Sequence, residues 1–180
     1  NSGAQVDIRQ NIKFPQPKEI PVGQSSQELK LSFYVKHTLP QAETLSLLLG
    51  VQQANGSYTY YYPLQMLASL PAGDHSGQWQ HVEVPLHIDR AKHDSSWDGK
   101  YSALYLALYS GSFSQGSIQL DQVSLSFADQ PGTNLMVNGD FDLGHEKVTA
   151  GDHAANFLSR LNGAGFWGSA SHYQSGGYSF

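Results

Sequence analysis

The sequence predicts an all-β domain, an antiparallel β-sandwich of the jelly-roll type with at most one short helix. Seven short segments alternate between apolar and polar residues, which is the pattern of a strand with one buried face. Turn residues (Gly, Pro, Asn and Ser) separate these segments at fairly regular spacing. Helical periodicity is nearly absent before residue 150. This combination favours two packed antiparallel sheets.

The predicted strands cover most of the first 127 residues: 5–14, 29–36, 44–53, 58–64, 79–88, 101–110 and 117–127. Residues 54–57 (Ala-Asn-Gly-Ser) predict a hairpin turn. Two Pro- and Gly-containing stretches predict loops, at residues 15–26 and 67–77. A bulge is expected near Asp121, where the alternation slips by one residue. Beyond these strands, the spacing of apolar residues allows a short helix at 153–161 and predicts a last strand around 178–180.

The composition narrows the possible partners. The chain has 180 residues, enough for one domain or for one domain plus a fragment. Its net charge of −5 argues against nucleic acid or an anionic membrane, and no apolar run approaches the ~20 residues of a membrane helix. Cysteine is absent, which excludes disulfides and thiolate chemistry. Charged residues make up only 14%, whereas Tyr (10) and Gly (18) are common, which suits neutral ligands such as sugars. The chain starts at Asn1 without Met, so we expect a processed form or an excised piece.

A row of tyrosines marks the first candidate ligand-binding surface. In the strand 101–110 the leucines mark the core face, and Tyr101, Tyr105 and Tyr109 lie on the other face. Tyr34 occupies the corresponding face of another strand. A pyranose ring has an apolar face that stacks on a tyrosine ring. The alternative is that these rings fill packing inside the fold.

Polar and aromatic residues elsewhere would complete such a site. Arg9 and Asn11 lie on the polar face of the first predicted strand, where they could bind sugar hydroxyls. Trp97 lies in a polar loop and could serve either as a sugar platform or as a structural residue.

Residues 134–142 (NLMVNGDFD) combine an apolar strand, an Asn-Gly turn and two acidic residues, Asp140 and Asp142. Carboxylate oxygens beside a glycine turn suit calcium, which takes six to eight oxygen ligands. The alternative is an Asn-Gly hairpin turn with solvated acids.

The sequence gives no positive case for an enzyme. Glycoside cleavage needs two carboxylates that flank the bound sugar, and Glu83, on a predicted strand's outer face, has no evident partner. No nucleophile-elbow, zinc-protease or phosphate-loop motif occurs. A small polysaccharide lyase or hydrolase on a β-sandwich stays open as an alternative.

Four stretches together resemble the carbohydrate-binding modules of the family 4/9/22 type, which are β-jelly rolls of the galactose-binding-domain-like kind. Residues 134–142 are similar to that family's opening strand, and residues 28–36 (ELKLSFYVK) to its Leu-Ser-Phe-Trp-Val-Lys strand. Residues 77–88 (GQWQHVEVPLHI) and 116–127 (GSIQLDQVSLSF) are similar to its tryptophan-containing and closing strands.

The order of these motifs departs from the family, because the opening strand follows the closing strand here. Joining residues 176–180 (GGYSF) to Asn1 would restore the family order. The resemblance therefore implies a circular permutation, a single domain over residues 1–180 in which 134–180 supply the family's N-terminal strands. The alternative is a module at 1–127 followed by a truncated second module at 134–180.

What the resemblance implies is non-catalytic binding of a polysaccharide or oligosaccharide on a concave sheet face. It also implies an accessory module of a secreted or cell-surface bacterial glycan-active enzyme, a monomer within a larger multidomain protein. A structural calcium ion would join Asp142 to Asp121, with Asp140 as a possible further ligand. The alternative function is a structural or adhesive β-sandwich whose tyrosines contact another protein.

Overall fold

The computed structural model of the chain describes residues 5–61, 63–93, 95–110, 116–136, 158–162, 171–172 and 178–179, with side chains described between residues 10 and 136 of these ranges. Most of these residues are in strands, with a 3₁₀ turn at Arg90–Lys92 and no α-helix among them. The fold is the antiparallel β-sandwich of jelly-roll class that the alternating pattern predicts. Within the described ranges, no helix has the length and apolar character needed to span a membrane.

The larger of the two sheets has six strands. Its strands are β1 (Gln5–Glu19), β3 (Glu43–Gln53), β4 (Tyr58–Tyr60), β5 (Gln65–Leu70), β8 (Lys100–Ser110) and β10 (Leu158–Asn162). The order across the sheet is β10-β1-β8-β3, and β3 then pairs with both β4 and β5. All of these pairings are antiparallel.

The smaller sheet has four strands: β2 (Ser26–Leu39), β6 (Gly73–Asp74), β7 (Gln80–Asp89) and β9 (Ser117–Phe127). The long strand β2 pairs antiparallel with the other three. A separate antiparallel pair joins β11 (Ser171–His172) to β12 (Tyr178–Ser179).

The core lies between the two sheets. It is built from apolar side chains at every second position of the strands. In β2 the odd positions Leu29, Leu31, Phe33 and Val35 are at most 1% exposed, while the residues between them are half-buried or exposed. Fully burying each such side chain stabilises the fold by about 1.5–3 kcal/mol relative to exposure. From β8, Leu104 and its alternating neighbours contribute to the same core.

The predicted bulge in β9 is confirmed. Tyr34 pairs with Asp121 but Ser32 pairs with Ser124, so β9 carries one extra residue at this point. Gln122 has φ of 50°, the left-handed conformation that an extra residue in a bulge can adopt. The slip moves the buried positions from even to odd numbers along β9 and keeps both halves of the strand packed on the core.

The prediction that a loop begins at residue 15 was wrong, because β1 continues through Pro15 and Pro17 to Glu19. Its register against β8 shifts between Lys13 and Lys18. Proline has no N–H to donate to a ladder, so a strand tolerates it at such an irregularity.

The return strand predicted at 58–64 is shorter in the structure, and the loop predicted at 67–77 begins only after Leu70 and is interrupted by β6. Strand β4 ends at Tyr60, and β5 then continues along β3 from Gln65 to Leu70. Leu67 and Leu70 are buried in the core, which stabilises a strand where a loop was predicted.

The short helix predicted at 153–161 was wrong over the residues of it that the structure describes, 158–161. Residues Leu158–Asn162 form β10, antiparallel to β1, and the rest of the predicted helix lies outside the described residues. Pairing with the edge of β1 satisfies backbone groups that a short helix would leave open. The last predicted strand is present as β12.

Candidate functional site

The outer side of the large sheet carries four tyrosines with two amide residues and a glycine between them. We call this patch the Tyr face: Asn11, Gly50, Gln52, Tyr58, Tyr60, Tyr105 and Tyr109. The strand register brings these residues together from four strands. Tyr105 in β8 pairs with Asn11 in β1 and with Gly50 in β3, and Gly50 pairs with Tyr60 in β4. The row therefore crosses the sheet from Asn11 to Tyr60.

The aromatic rings of the Tyr face contact one another. The rings of Tyr58 and Tyr60 lie nearly parallel, with centroids 5.8 Å apart and 9° between their planes. Tyr105 meets Tyr60 edge to face at 5.9 Å and 88°. Tyr58 and Tyr60 are 39% and 43% exposed, so much of each ring remains open to solvent. Parallel, partly exposed rings are surfaces on which the apolar face of a sugar can stack.

Gly50 lets these rings approach the sheet closely. A Cβ atom at this position would lie 2.8 Å from the Tyr60 ring and 3.2 Å from Cβ of Tyr105. The Tyr60 ring therefore lies over the backbone of β3. Glycine inside a strand often marks such a close approach.

Polar groups border the rings. The side-chain oxygen of Asn11 is buried and accepts no hydrogen bond from the described part of the chain. Gln52 is half-buried beside Tyr58, and its amide nitrogen donates to the backbone oxygen of Gly56 at 3.3 Å. Lys13 is exposed in the next row, and none of the described side chains named on this face is acidic. Amide and phenol groups beside aromatic rings suit a ligand that is rich in hydroxyl groups.

Tyr101 is not part of this face, so the expectation that it joins Tyr105 and Tyr109 there was wrong. Its side chain is 0% exposed, and its ring packs edge-on against Phe14 at 5.8 Å. The cause is a register shift: Gln52 pairs with Ala103 and Gln53 with Tyr101, which leaves Ser102 without a ladder partner. The Ser102 hydroxyl donates to the backbone oxygens of Gln52 and Gln53 instead. The shift turns Tyr101 into the core, where burial raises the pKa of its hydroxyl.

Tyr34 belongs to the other sheet, so the expected grouping of Tyr34 with the other tyrosines was also wrong. It lies on the outer side of β2, half-buried, and stacks on His81 at 4.7 Å. Ser32 and Lys30 flank it on the same strand; Ser32 is hydrogen-bonded to His81 at 2.8 Å and Lys30 is paired with Glu83 at 2.6 Å. Sequence alternation shows which side of a strand a residue occupies, but not to which sheet the strand belongs.

Trp97 packs against the core. Its ring N–H donates to the backbone oxygen of Lys100 at 2.8 Å, and its ring stacks on His93 at 3.7 Å. Nε2 of His93 is hydrogen-bonded to the Tyr61 hydroxyl at 2.8 Å. Of the two roles open to Trp97, these contacts favour anchoring the loop between β7 and β8.

The remaining predicted site residues are only partly described. Arg9 lies in β1 opposite Ala107, one row from Asn11, and its side chain lies outside the described residues. Asp140 and Asp142 also lie outside them. Asp121 is fully buried at the β9 bulge, where a carboxylate oxygen accepts the backbone N–H of Gln122 at 2.8 Å. Among the described residues, no group of three or more His, Asp or Glu could hold a metal ion.

Sequence reasoning did not single out Gly50, nor did it place Tyr58 and Tyr60 next to Tyr105. A glycine between apolar strand residues was the available signal for Gly50. The position of the tyrosines depends on the pairing of β3 with both β8 and β4, a long-range fact that local alternation does not contain.

Comparison with known proteins identifies no family for this chain. No protein-family model matches the chain, and no curated protein matches it. Solved structures of infectious bursal disease virus show a weak likeness. For the Gx strain the TM-score is 0.37 at 11% identity, over 69% of this chain and 28% of the viral chain. For the Gt strain the TM-score is 0.35 at 10% identity, over 65% and 32%.

A crystal structure of the VP2 subviral particle of the same virus gives a TM-score of 0.31 at 10% identity, over 70% of this chain. The chain spans about a third or less of the length of these viral chains. Likeness at this level carries no argument about what this protein does. The fold and the site together define an antiparallel β-sandwich with an aromatic, polar outer face.

Proposed function

We propose that this chain is a non-catalytic carbohydrate-binding module that holds an oligosaccharide or polysaccharide on the Tyr face. The observation that carries the proposal is the row from Asn11 through Tyr105 and Gly50 to Tyr60, in which two tyrosines meet over a glycine and an amide side chain lies beside Tyr105. Stacking would bury the apolar face of each sugar ring, and Asn11 and Gln52 would bind hydroxyl groups at its rim.

The size of the face supports a chain of sugars as the ligand. Tyr105 and Tyr109 lie four residues apart in β8, about 14 Å along the strand. A ligand that touches both rings must therefore be longer than one sugar ring. The dissociation constant expected for such an open surface is roughly micromolar to millimolar.

Titration calorimetry against a panel of soluble glycans tests this function. Replacing Tyr105 by alanine should weaken binding about tenfold or more, because it removes a stacking ring. Gly50→Ala should have a similar effect, because the new Cβ displaces the Tyr60 ring without removing any aromatic side chain.

Tyr34→Ala is the matched control, since it removes the same type of residue from the opposite sheet and should leave affinity on the Tyr face unchanged. The proposal fails if no glycan binds or if the three variants bind equally well. Release of new reducing ends from the same glycans would instead indicate a lyase or hydrolase.

An adhesive function is the second candidate, and a specific observation favours it. Met66 is 64% exposed and pairs with Ser46, which also pairs with Tyr109, so Met66 adds apolar surface to the Tyr109 end of the outer face. Exposed apolar patches often mark protein interfaces. If this alternative is right, sedimentation at increasing protein concentration would show a dimer. Met66→Lys would shift that dimer to the monomer.

We also propose, from the resemblance in sequence, that residues 1–180 form one circularly permuted domain in which 134–180 supply the family's N-terminal strands. Two contacts support this organisation. Strand β10 extends the large sheet beside β1, and the backbone N–H of Leu135 donates to the oxygen of Leu125 at 2.6 Å. The same resemblance supports a bacterial secreted or cell-surface address, as an accessory module of a multidomain glycan-active enzyme.

Calcium is proposed as a structural ion at Asp121, with Asp142 and Asp140 as further ligands. The buried Asp121 carboxylate is a ligand type that calcium prefers. Calcium at about 100 times its dissociation constant should stabilise the fold by about 2.7 kcal/mol, or roughly 5–10 °C in melting temperature.

Thermal melts with calcium and with chelator measure this shift. Asp121→Asn should abolish it, whereas Asp129→Asn, an exposed acid just beyond β9, should keep it. Equal melting temperatures with calcium and with chelator would exclude the ion.

A further inference from the structure

Strand β4, which carries Tyr58 and Tyr60 of the Tyr face, lies at an edge of the large sheet. Three residue pairs join it to β3. The backbone N–H of Tyr61, the next residue, adds one hydrogen bond to the oxygen of Leu49 at 2.8 Å. A short two-stranded pairing is only marginally stable by itself, so contacts made by side chains must help to hold β4 in place.

The Tyr61 side chain supplies such a contact, because it reaches the end of β7. Its hydroxyl accepts the backbone N–H of Asp89 at 2.9 Å and is hydrogen-bonded to Nε2 of His93 at 2.8 Å. Its ring packs on the core and meets the His93 ring edge to face at 5.7 Å. Tyr61 therefore ties the end of β4 to the loop between β7 and β8. We call the contact between Tyr61 and His93 the latch.

The surroundings of His93 favour an uncharged ring. Trp97 stacks on that ring at 3.7 Å. Nδ1 of His93 is buried and makes no hydrogen bond within the described part of the chain. A protonated imidazole carries an N–H on both nitrogens. Protonation would therefore leave a charged N–H buried without an acceptor, which is costly.

The charged groups around the latch do not reverse this preference. The Asp89 carboxylate favours a cation on His93, but one of its oxygens already accepts the backbone N–H of Ala91 at 2.9 Å. Burial outweighs that charge and lowers the pKa of His93 below its ordinary value of 6.5. Asp94, the next residue in the chain, lies outside the described residues. The other titratable residues on the segments that pack against the latch are Arg90, Lys92, Asp98, Lys100 and Tyr101.

We propose that the latch is an acid-sensitive device, which opens when His93 takes up a proton and frees the strand that carries Tyr58 and Tyr60. In the open form, water supplies the acceptor that the buried Nδ1 lacks. The open form takes up its proton near pH 6.5 and the closed form only at lower pH, so the closed form is less favoured as the pH falls below about 6.5. Glycan affinity on the Tyr face should then fall in acid, a consequence that rests on the proposed function.

Hydrogen exchange of the full chain, followed by mass spectrometry at about pH 7.5 and about pH 5, tests the latch without a glycan. After correction for the pH dependence of intrinsic exchange, peptides covering residues 57–61 should lose protection about threefold or more at the lower pH. Peptides covering β5 should not change. The Gln65 amide ties that strand to the backbone oxygen of Pro85 at 3.0 Å, independently of His93.

His93→Gln should abolish the response, because glutamine can hydrogen-bond to Tyr61 but does not take up a proton. Tyr61→Phe should lower protection at both pH values, since it removes the hydroxyl and keeps the ring. His37→Gln is the matched control and should keep the response, because it removes another histidine whose pKa burial lowers. Unchanged protection of residues 57–61 in the wild type overturns the proposal. So does an equal loss in His93→Gln, or wild-type protection in Tyr61→Phe.

Calorimetry at the same two pH values tests the link to the Tyr face, with cellohexaose, xylohexaose, mannohexaose and laminarihexaose as probes. The affinity that depends on Tyr105 should fall about threefold or more in acid, and it should stay constant in His93→Gln. Constant affinity in the wild type while β4 loses protection overturns the link. If no probe binds at either pH, the proposed function fails, and the exchange result alone decides whether the latch exists.

Discussion

Tyr101→Ala should lower the free energy of unfolding by about 3–5 kcal/mol, because a large aromatic side chain leaves a cavity when it is removed from a packed core. Tyr101 is 0% exposed and packs on Phe14, which in turn stacks on Phe127 at 6.1 Å. The loss corresponds to roughly 6–20 °C in melting temperature for a chain of this size. Urea denaturation followed by circular dichroism would measure it.

Tyr105→Ala is the internal control for this prediction, since Tyr105 lies in the same strand, four residues away. Its ring is half-buried on the outer face, so its removal should cost far less stability while it weakens glycan binding. Tyr101→Ala, below its own melting temperature, should retain glycan affinity. Equal stability losses in the two variants would show that the two rings do not lie on opposite sides of β8.

Gly116→Ala should destabilise the fold by at least about 3 kcal/mol, because it combines a strained backbone with a clash that only a movement of the backbone can relieve. Gly116 has φ of 102°, a region that alanine rarely adopts. A Cβ atom there would overlap the backbone oxygen of Thr38, in the strand that pairs with β9. Because that oxygen belongs to a central strand, either β9 or β2 must move.

Gly132→Ala provides the comparison, since its Cβ would meet nothing within 4 Å. It should be neutral or slightly stabilising, because alanine restricts the unfolded chain. Thermal melts of both variants would decide the matter. A Gly116→Ala protein that melts at the same temperature as the wild type would mean that Gly116 does not lie against the backbone of β2.

The sequence predicted local features well wherever one side of a strand is buried. The alternation in β2 and β9 located the core residues, and its slip near Asp121 located the bulge that the positive φ of Gln122 marks. The same reasoning failed at Tyr101, since Ser102 gives no visible signal of the register shift beside it. It failed at residues 158–162 as well, where apolar spacing allowed a helix and the open edge of β1 favoured a strand.

The candidate site depended on facts of a different kind. The types of residue, tyrosines with amides and few charges, already favoured sugars as ligands. Which tyrosines meet was decided by strand pairing: β3 lies between β8 and β4, so Tyr105 and Tyr60 meet over Gly50, and Tyr34 lies in the other sheet.

By itself, then, the sequence determined the all-β class, most strands, the core faces and the β9 bulge, because these follow from side chains that alternate with a period of two residues. The tertiary structure decided the order of strands in each sheet, the shift that buries Tyr101, and the residues that share an outer face. Those features depend on contacts between residues far apart in the chain, and a period of two carries no information about which strands become neighbours.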